Sequence, residues 1–497
     1  MKRFIGSIFL LVLFSSLSLG QNGTRLVGFD AQSMGRGGTS IGTFDSPELM
    51  MTNPAGISFL SRSTLNADIS LMFPALHFKN GINDADGDKS TFPLPAISYV
   101  NKYADSKLSW GVGMFTTGGM GADFNLEHAL YRNSDGSYNL QKYHSKLAEM
   151  QGGLTVAYQI NNQLSVGASL HLVYSMVEFE MPYSLDPSIM KGTAMPGMTF
   201  GQMFAAPPAS GGFGYDEVTA SAKMSDLTAY GFNGKIGIAY KASEKLSFGL
   251  NYTLPSSLNY TGGKAVMDMT QQFNDAFGKA VSGYMSANPT ATQAQAQAAV
   301  MGNFSAMGID LSKGVKANYK MELELAFPQS IGIGASYQAN DCLKLAMDVE
   351  WLNWASAFDK MTLKLTDGDN ANINTMLGNS GSFNLDFPMN WKNSVIVKVG
   401  GEYKASNALT LRLGYAYGSN PVPASTIIPI LPAIVENHIT AGASYKVSEP
   451  LTIHAAVEMV LNNSLTSENP SVIANEYNGS TSELATTLIH VSCSYAF

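Results

Sequence analysis

The 497-residue chain has only two cysteines, Cys342 and Cys493. They fall in different hairpins of the pattern described below, Cys342 beside a turn and Cys493 on an outward-facing position. Neither a disulfide framework nor a metal site is expected from them. Charge is also scarce: Asp, Glu, Lys and Arg make up 14% of the residues, against roughly 25% in ordinary globular chains. The net charge of −8 excludes the basic surface that nucleic acid requires. The seven histidines show no ligand spacing, so no metal or other cofactor is expected. Beyond Phe14 there is no apolar run of the roughly 18 residues that a spanning helix needs.

What is present begins with Met1-Lys2-Arg3, an apolar stretch from Phe4 to Phe14, and small residues at Ser18 and Gly20. This predicts a secretory signal peptide over residues 1–20. Its removal leaves 28 basic residues against 38 acidic ones. A mature chain of about 475 residues would ordinarily divide into several domains; a large barrel is the main exception. Such a wall has one lipid face and one wet face, so apolar and polar residues alternate and average out along the chain.

The clearest internal signal is a repeated hairpin. Five times a strand closes on a tyrosine and a new alternating strand starts on a leucine six positions later: Tyr158/Leu164, Tyr240/Leu246, Tyr337/Leu343, Tyr403/Leu409 and Tyr445/Leu451. After each turn the alternation assigns faces. Phe248, Leu250 and Tyr252 oppose Gly249, Asn251 and Thr253; Leu411, Leu413 and Tyr415 oppose Arg412 and Gly414; Ile453, Val457 and Met459 oppose His454 and Glu458. The larger apolar residues face lipid, the small and polar ones the lumen.

Fourteen such segments can be counted, from 62–73 to 485–497, including long ones at 244–260, 319–338 and 341–365. Even-to-odd links are short turns and odd-to-even links are long loops, as in outer-membrane barrels with both termini on the periplasmic side. The tyrosines form a periplasmic aromatic girdle. The last strand, ending on Tyr495 and Phe497, must pair with the first to leave no open edge in lipid. The expectation is therefore an all-β fold: a 14-stranded antiparallel transmembrane β-barrel over residues 62–497, with residues 21–61 folded into the lumen.

Two external loops, 181–227 and 262–318, have the wrong composition for solvated loops. The first carries Met181, Met190, Met195, Met198, Phe200, Met203 and Phe204. The second carries Met269, Phe273, Phe277 and Val281 at helical spacing. Methionine suits a surface that must hold alkyl chains of varied shape, so partly helical loops with a substrate-binding groove between them are expected. The plain alternative is that these residues pack the loops into a stable cap.

The stretch Gly28-Phe29-Asp30 to Met34-Gly35-Arg36, followed by Asn53-Pro54-Ala55-Gly56, resembles the N-terminal hatch of the FadL/OmpP1/TodX family. These are outer-membrane transporters for long-chain fatty acids and hydrophobic compounds in Gram-negative bacteria. The resemblance continues at Gly231-Phe232-Asn233-Gly234, at Asp348 to Trp354, at Gly414 to Tyr417 with Pro421-Val422-Pro423, and at Ser494 to Phe497. It implies a multi-pass protein of the outer membrane that acts as a passive, plugged channel. Its partners would be hydrophobic small molecules and outer-membrane lipid, and it is expected to be monomeric and not an enzyme. It also implies capture between the external loops, transfer to a pocket beside the hatch, and exit sideways through the wall.

On this resemblance, Phe29, Arg36, Asn53, Pro54, Ala55 and Gly56 belong to the hatch, and Gly111 and Gly113 mark a lateral opening in the third strand. Arg36, Lys344, Lys398 and Arg412 are candidate partners for a substrate carboxylate, with Asp348, Glu350 and Glu402 as competing luminal acids. Glu178 and Glu180 stand where the fatty-acid transporters are expected to carry a basic residue, which favours a neutral hydrophobic or aromatic compound as the alternative substrate. A general porin is disfavoured by the apolar loops. Ser169 and His171 share a luminal face but have no orienting group or oxyanion donors beside them. The segment Asp84 to Asp88 starts like a calcium loop but meets Pro95 where the closing glutamate is needed.

Overall fold

The computed structural model describes residues 23–103, 106–133, 135–468 and 474–497; the expected signal peptide lies outside them. Fourteen wall strands follow the chain. They are β1 (Thr64–Lys79), β2 (Phe92–Lys102), β3 (Leu108–Leu126), β4 (Gln141–Gln159), β5 (Leu164–Leu185), β6 (Val218–Lys241), and β7 (Leu246–Thr253 with Ser256–Asp268). Next come β8 (Lys316–Phe327 with Ser330–Gln338), β9 (Leu343–Leu352 with Lys360–Thr366), and β10 (Phe383–Pro388 with Ser394–Lys404). The last four are β11 (Leu409–Gly418), β12 (Asn437–Lys446), β13 (Leu451–Thr466) and β14 (Thr481–Ala496). Each pairs antiparallel with its neighbours, and β14 closes on β1 from Thr64↔Ala496 to Lys79↔Thr481.

The tyrosine-to-leucine hairpins have a local cause. Asn161 Oδ1 accepts from the backbone of Gln163 and Leu164, and Asn340 Oδ1 from Cys342 and Leu343. Ser243 and Ser406 do the same with their hydroxyls. These side-chain turns fix the register of the strand that follows. Tyr158, Tyr240, Tyr337, Tyr403 and Tyr445 all point outward, and the inward positions Asn251, Arg412, His454 and Glu458 are buried, as the alternation predicts.

The long strands expected at 244–260, 319–338 and 341–365 are not continuous. β7 breaks at Leu254-Pro255, β8 at Pro328-Gln329, β9 around the short helix Trp354–Ala357, and β10 after Pro388. Proline cannot donate to a ladder, and Pro255, Pro328 and Pro388 stand at three of these four breaks. Inside these breaks Trp354, Phe358 and Trp391 pack ring on ring at 4.6–5.2 Å. β5 and β6 also run further than expected, so Met181 belongs to a strand.

Residues 23–60 lie inside the barrel, and the reason is the small residues that face them. A Cβ on Gly249 would stand 1.8 Å from Ile41 O, on Gly400 2.1 Å from Arg36 O, on Gly414 2.1 Å from Gly37 N, and on Gly237 2.2 Å from Asn53 Oδ1. Backbone touches backbone only where the wall carries no side chain. Hydrogen bonds complete the seat: Asn53 Nδ2 donates to Ile41 O and Ile238 O at 2.9 and 3.0 Å. The amides of Ser40 and Ile41 donate to Asp348 at 2.7 and 3.0 Å.

Outside, α1 (Phe200–Ala205) is capped by Thr199 and Gln202. α2 (Thr270–Ala287) and α3 (Gln293–Ala306) form a hairpin, with Thr292 and Gln295 making the capping box of α3.

Candidate functional site

The four candidate carboxylate partners are all engaged. Arg36 meets Asp45 at 2.8 Å and Glu402 at 3.1 Å; Lys344 meets the same two acids at 2.8 and 3.0 Å; Arg412 meets Glu402 at 2.7 Å. Burial opposes ionisation of Asp45, but Arg36 and Lys344 outweigh it and hold its carboxyl well below the usual range. Lys398 meets Glu350 at 2.6 Å and donates to Val27 O at 2.8 Å. These charges fasten residues 25–45 to the wall. Glu48, buried beside Asp30, is pushed the other way, well above the usual carboxylate range.

The cation that sequence reading missed is Lys235. It is 4% exposed, its Nζ donates to Thr253 Oγ1 at 3.1 Å, and among the described residues it makes no ion pair. Its inward direction was legible, since Ile236 and Ile238 on either side of Gly237 face lipid. Lys235 lines a small cavity with Arg25, Glu149, Gln151 and Asn233. The apolar part of the lining is Phe29, Met51, Phe327, Pro328 and Trp354. Glu149 is occupied by Thr117 Oγ1 and Gln151 Nε2 at 2.8 and 2.6 Å, and Glu350 already serves Lys398 and Arg25.

Across Phe29 the wall is broken. β2 and β3 pair only from Ala96↔Phe115 to Lys102↔Ser109. Above that, Phe92–Pro95 and Thr116–Leu126 have no ladder to each other, and Pro93 and Pro95 have no amide to give. Gly111 and Gly113 lie below the break, in intact ladder opposite Val100 and Ser98. From Phe115 to Ala122 every residue of β3 is buried, so the alternation of a two-faced wall is lost and the strand turns inward. Its free edge takes up the start of the hatch: Gly119 N donates to Thr24 O at 2.8 Å and Leu26 N to Thr117 O at 3.3 Å. Behind the break, Leu26, Phe29, Asp68, Leu94, Thr116 and His490 line a small cavity. Phe29 borders both cavities and packs edge-on against Phe115 at 6.1 Å.

At the outer end most of the methionine and phenylalanine positions are packed. Met190, Phe200, Met203 and Phe204 are buried within their loop, with Phe204 against Phe213 and Tyr215 at 5.2 and 5.6 Å. Phe273 and Phe277 pack on Phe304 of α3 at 4.9 and 6.2 Å, and Met269 and Val281 are buried beside them. Met195 is exposed, and Met198 and Phe277 are half-buried. The two loops meet where Tyr215 donates to Asp275 at 2.5 Å and Thr219 N to Gln272 at 2.9 Å. The open cleft there is lined by His128, Arg132, Gln271, Gln272 and Asp275 together with Leu130 and Tyr215.

The apolar cavity lies lower, within the upper barrel. Phe179, Met181, Tyr183, Met224, Met361, Phe387, Ile430 and Leu431 line a small cavity. Ile430 and Leu431 come from the loop 419–436, whose Ile427, Ile428, Ile434 and Val435 are buried too. Ser145 on β4 donates to Ile430 O, Thr426 to Met389 O at 2.6 Å, and Asn463 on β13 to Ile434 O at 2.6 Å. A loop held by β4, β13 and the β10 side crosses the lumen. The run Thr426 to Val435 is as apolar as any wall strand, a signal that the sequence carried openly.

Several solved structures share this fold at low identity. The *Pseudomonas putida* toluene transporter TodX superposes with a TM-score of 0.67 at 17% identity, over 96% of this chain and 100% of that one. A *Pseudomonas aeruginosa* FadL homologue does so with a TM-score of 0.67 at 18% identity, over the same shares. Among curated sequences, outer membrane protein P1 of *Haemophilus influenzae* is 21% identical over 80% of this chain and 74% of its own length. The long-chain fatty acid transport protein of *Escherichia coli* K12 is 21% identical over 82% of this chain and 80% of its own. The family model described as outer membrane protein transport protein (OMPP1/FadL/TodX) matches residues 22–497, and the chain belongs to that Gram-negative outer-membrane family.

Proposed function

We propose that this protein carries long-chain fatty acids, or molecules of similar hydrophobicity, passively inward across the outer membrane. The observation that carries the reading is the cavity beside the hatch, where Phe29, Met51, Phe327 and Trp354 share the lining with Lys235, a buried cation without an ion pair among the described residues. An unpaired buried charge is costly. A ligand carboxylate in that cavity would remove the cost, and the alkyl chain would lie against Phe29, Met51, Phe327 and Trp354.

In this reading Met195, Met198 and Phe277 offer the first apolar contacts outside, and the cavity around Met181 and Phe387 takes the molecule next. The loop 419–436 yields to let it pass. Residues 1–20 direct export, 21–61 act as the hatch, and the monomeric barrel of 62–497 supplies the wall. Exit is sideways, at the break between β2 and β3, above Gly111 and Gly113.

A second reading, uptake of neutral aromatic compounds, is favoured by one observation. Near the outer end of β5, Glu180 stands beside Lys223 at 2.9 Å, and Glu178 faces Lys146 and His144 at 3.7 and 3.9 Å, so no spare cation greets a carboxylate there. The deciding experiment is uptake of radiolabelled oleate against a radiolabelled neutral aromatic hydrocarbon, in cells with and without the gene. Gene-dependent oleate uptake supports the first reading. Gene-dependent uptake of the hydrocarbon alone supports the second, and uptake of neither overturns both.

A further inference from the structure

Besides the β2–β3 break and the gaps around the broken strands β8, β9 and β10, the wall is interrupted on the side of Lys235. β6 and β7 pair up to Lys235↔Thr253 and again from Thr228↔Thr261. Between these points Ala229–Gly234 and Leu254–Tyr260 have no ladder. Across this stretch Leu254 N donates to Gly234 O at 2.9 Å and Asn233 Nδ2 to Leu254 O at 2.9 Å. Both strands keep their other partners: β6 stays on β5 through Tyr174↔Tyr230 and Leu170↔Gly234, and β7 on β8 from Ser256↔Phe327 to Tyr260↔Leu323. The interruption is therefore a local seam between two strands that each stay laddered on their other side.

Side chains fill it in place of hydrogen bonds. A Cβ on Gly231 would come within 2.3 Å of Leu258 Cδ2, and one on Gly234 within 3.0 Å of Leu254 Cδ1, so two leucines of β7 lie over two glycines of β6. Leu258 is fully buried and closes the seam from inside; Leu254 is 42% exposed and closes it from outside. Tyr230 and Phe232, 68% and 67% exposed, flank it on the lipid face. Gly234 is six residues above the girdle tyrosine Tyr240; at about 3.3 Å per residue along a tilted strand it sits roughly 15 Å up, inside an apolar band about 25 Å tall.

Backbone without a ladder is not tolerated at that depth unless it borders protein or a cavity. Here the cavity is the one that holds Lys235: Asn233, Lys235, Thr253, Phe327 and Pro328 line it from the seam. At the inner lip Asn233 Oδ1 and Ser256 Oγ are buried with no hydrogen-bond partner among the described residues. We infer that the β6–β7 seam is a second lateral portal, through which the hatch cavity opens directly into the outer membrane when Leu254 and Leu258 swing off Gly234 and Gly231. The inference rests on the proposed uptake of hydrophobic molecules through that cavity. Parting the seam breaks few hydrogen bonds and a few apolar contacts, where parting a continuously laddered pair such as β5–β6 would break its whole ladder.

The test is a reversible lock. In a C342S/C493S background, Gly231→Cys with Leu258→Cys is bridged in the assembled protein by a short, reducible bis-thiol reagent. A parallel protein carries Leu94→Cys with Thr116→Cys across the β2–β3 break. Oleate uptake is read before bridging, after it, and after reduction, so each protein is its own control for assembly. The portal predicts that bridging β6–β7 lowers uptake at least twofold and that reduction restores it, while oleate binding to the detergent-solubilised protein is unchanged. Full uptake with β6–β7 bridged overturns the portal, and if the β2–β3 bridge then blocks uptake, the break alone is the exit. Loss of binding in the unbridged proteins would instead strike at the hatch-cavity reading itself.

Discussion

Replacing Lys235 by methionine keeps the aliphatic stem and removes the charge. Lys235 is 4% exposed and spends one hydrogen bond on Thr253 at 3.1 Å, which leaves donors free for a ligand. A charge-assisted hydrogen bond contributes about 1.5–3 kcal/mol. At 1.4 kcal/mol per decade, the variant should bind a fatty-acid carboxylate roughly 10- to 150-fold more weakly. A fatty alcohol of the same length makes no such bond, and its affinity should stay within about threefold. The assay is displacement of a fluorescent fatty acid from the purified barrel in detergent, titrated with oleate and with oleyl alcohol. Equal weakening of both ligands would mean that Lys235 only shapes the cavity. No weakening of either would mean that the carboxylate does not reach it.

Valine at Gly400, whose Cβ would stand 2.1 Å from Arg36 O, should unseat the hatch and make the barrel permeable to small polar solutes without preventing its assembly. Liposome swelling in sugar solutions measures this, and a tight barrel would contradict the seating. Deleting residues 424–433 should raise single-channel conductance, because that segment crosses the lumen; unchanged conductance would show that the hatch alone seals it. A pH effect is expected in the external loops, where burial, reinforced by Glu217, pushes Glu476 up to about 8 and burial holds His128 down to about 4. The raised acid contributes stability that is lost as pH climbs through 8, and the depressed histidine contributes stability lost as pH falls through 4. Above the ordinary histidine pKa of 6.5 only the glutamate acts, so segment 474–480 should loosen between pH 6.5 and 8. Amide exchange of that segment should show the change, and Glu476→Gln should abolish it.

Strand number, faces and loop parity were legible because lipid on one side and lumen on the other force a period of two. The breaks were not, because Leu254-Pro255 and Pro328-Gln329 sit inside segments whose alternation continues on both sides. The luminal glycines Gly249, Gly400 and Gly414 read as small residues on a wet face; only the fold reveals that a backbone presses against them. That luminal acids such as Glu350 and Glu402 would hold the inward cations was legible, but Asp45, which meets Arg36 and Lys344, is brought to them only by the fold. Lys235 was hidden for the opposite reason. A lysine on an inward face is ordinary in a barrel, and the missing partner becomes visible only when Glu149 and Glu350 are found occupied by others. The loop 419–436 carries its apolar character in Ile427, Ile428, Ile430 and Ile434 and has no methionine, so composition does not set it apart from a wall strand.

The central claim is that a hydrophobic molecule passes through the cavity between the hatch and β6–β7. A photoactivatable palmitate with its reactive group near the carboxyl, added to cells and irradiated, tests it most directly. The account predicts that labelled peptides come from around Lys235, Thr253 and Phe327, and that oleate competes the labelling away. Labelling confined to the external loops, with none on those strands, would contradict it.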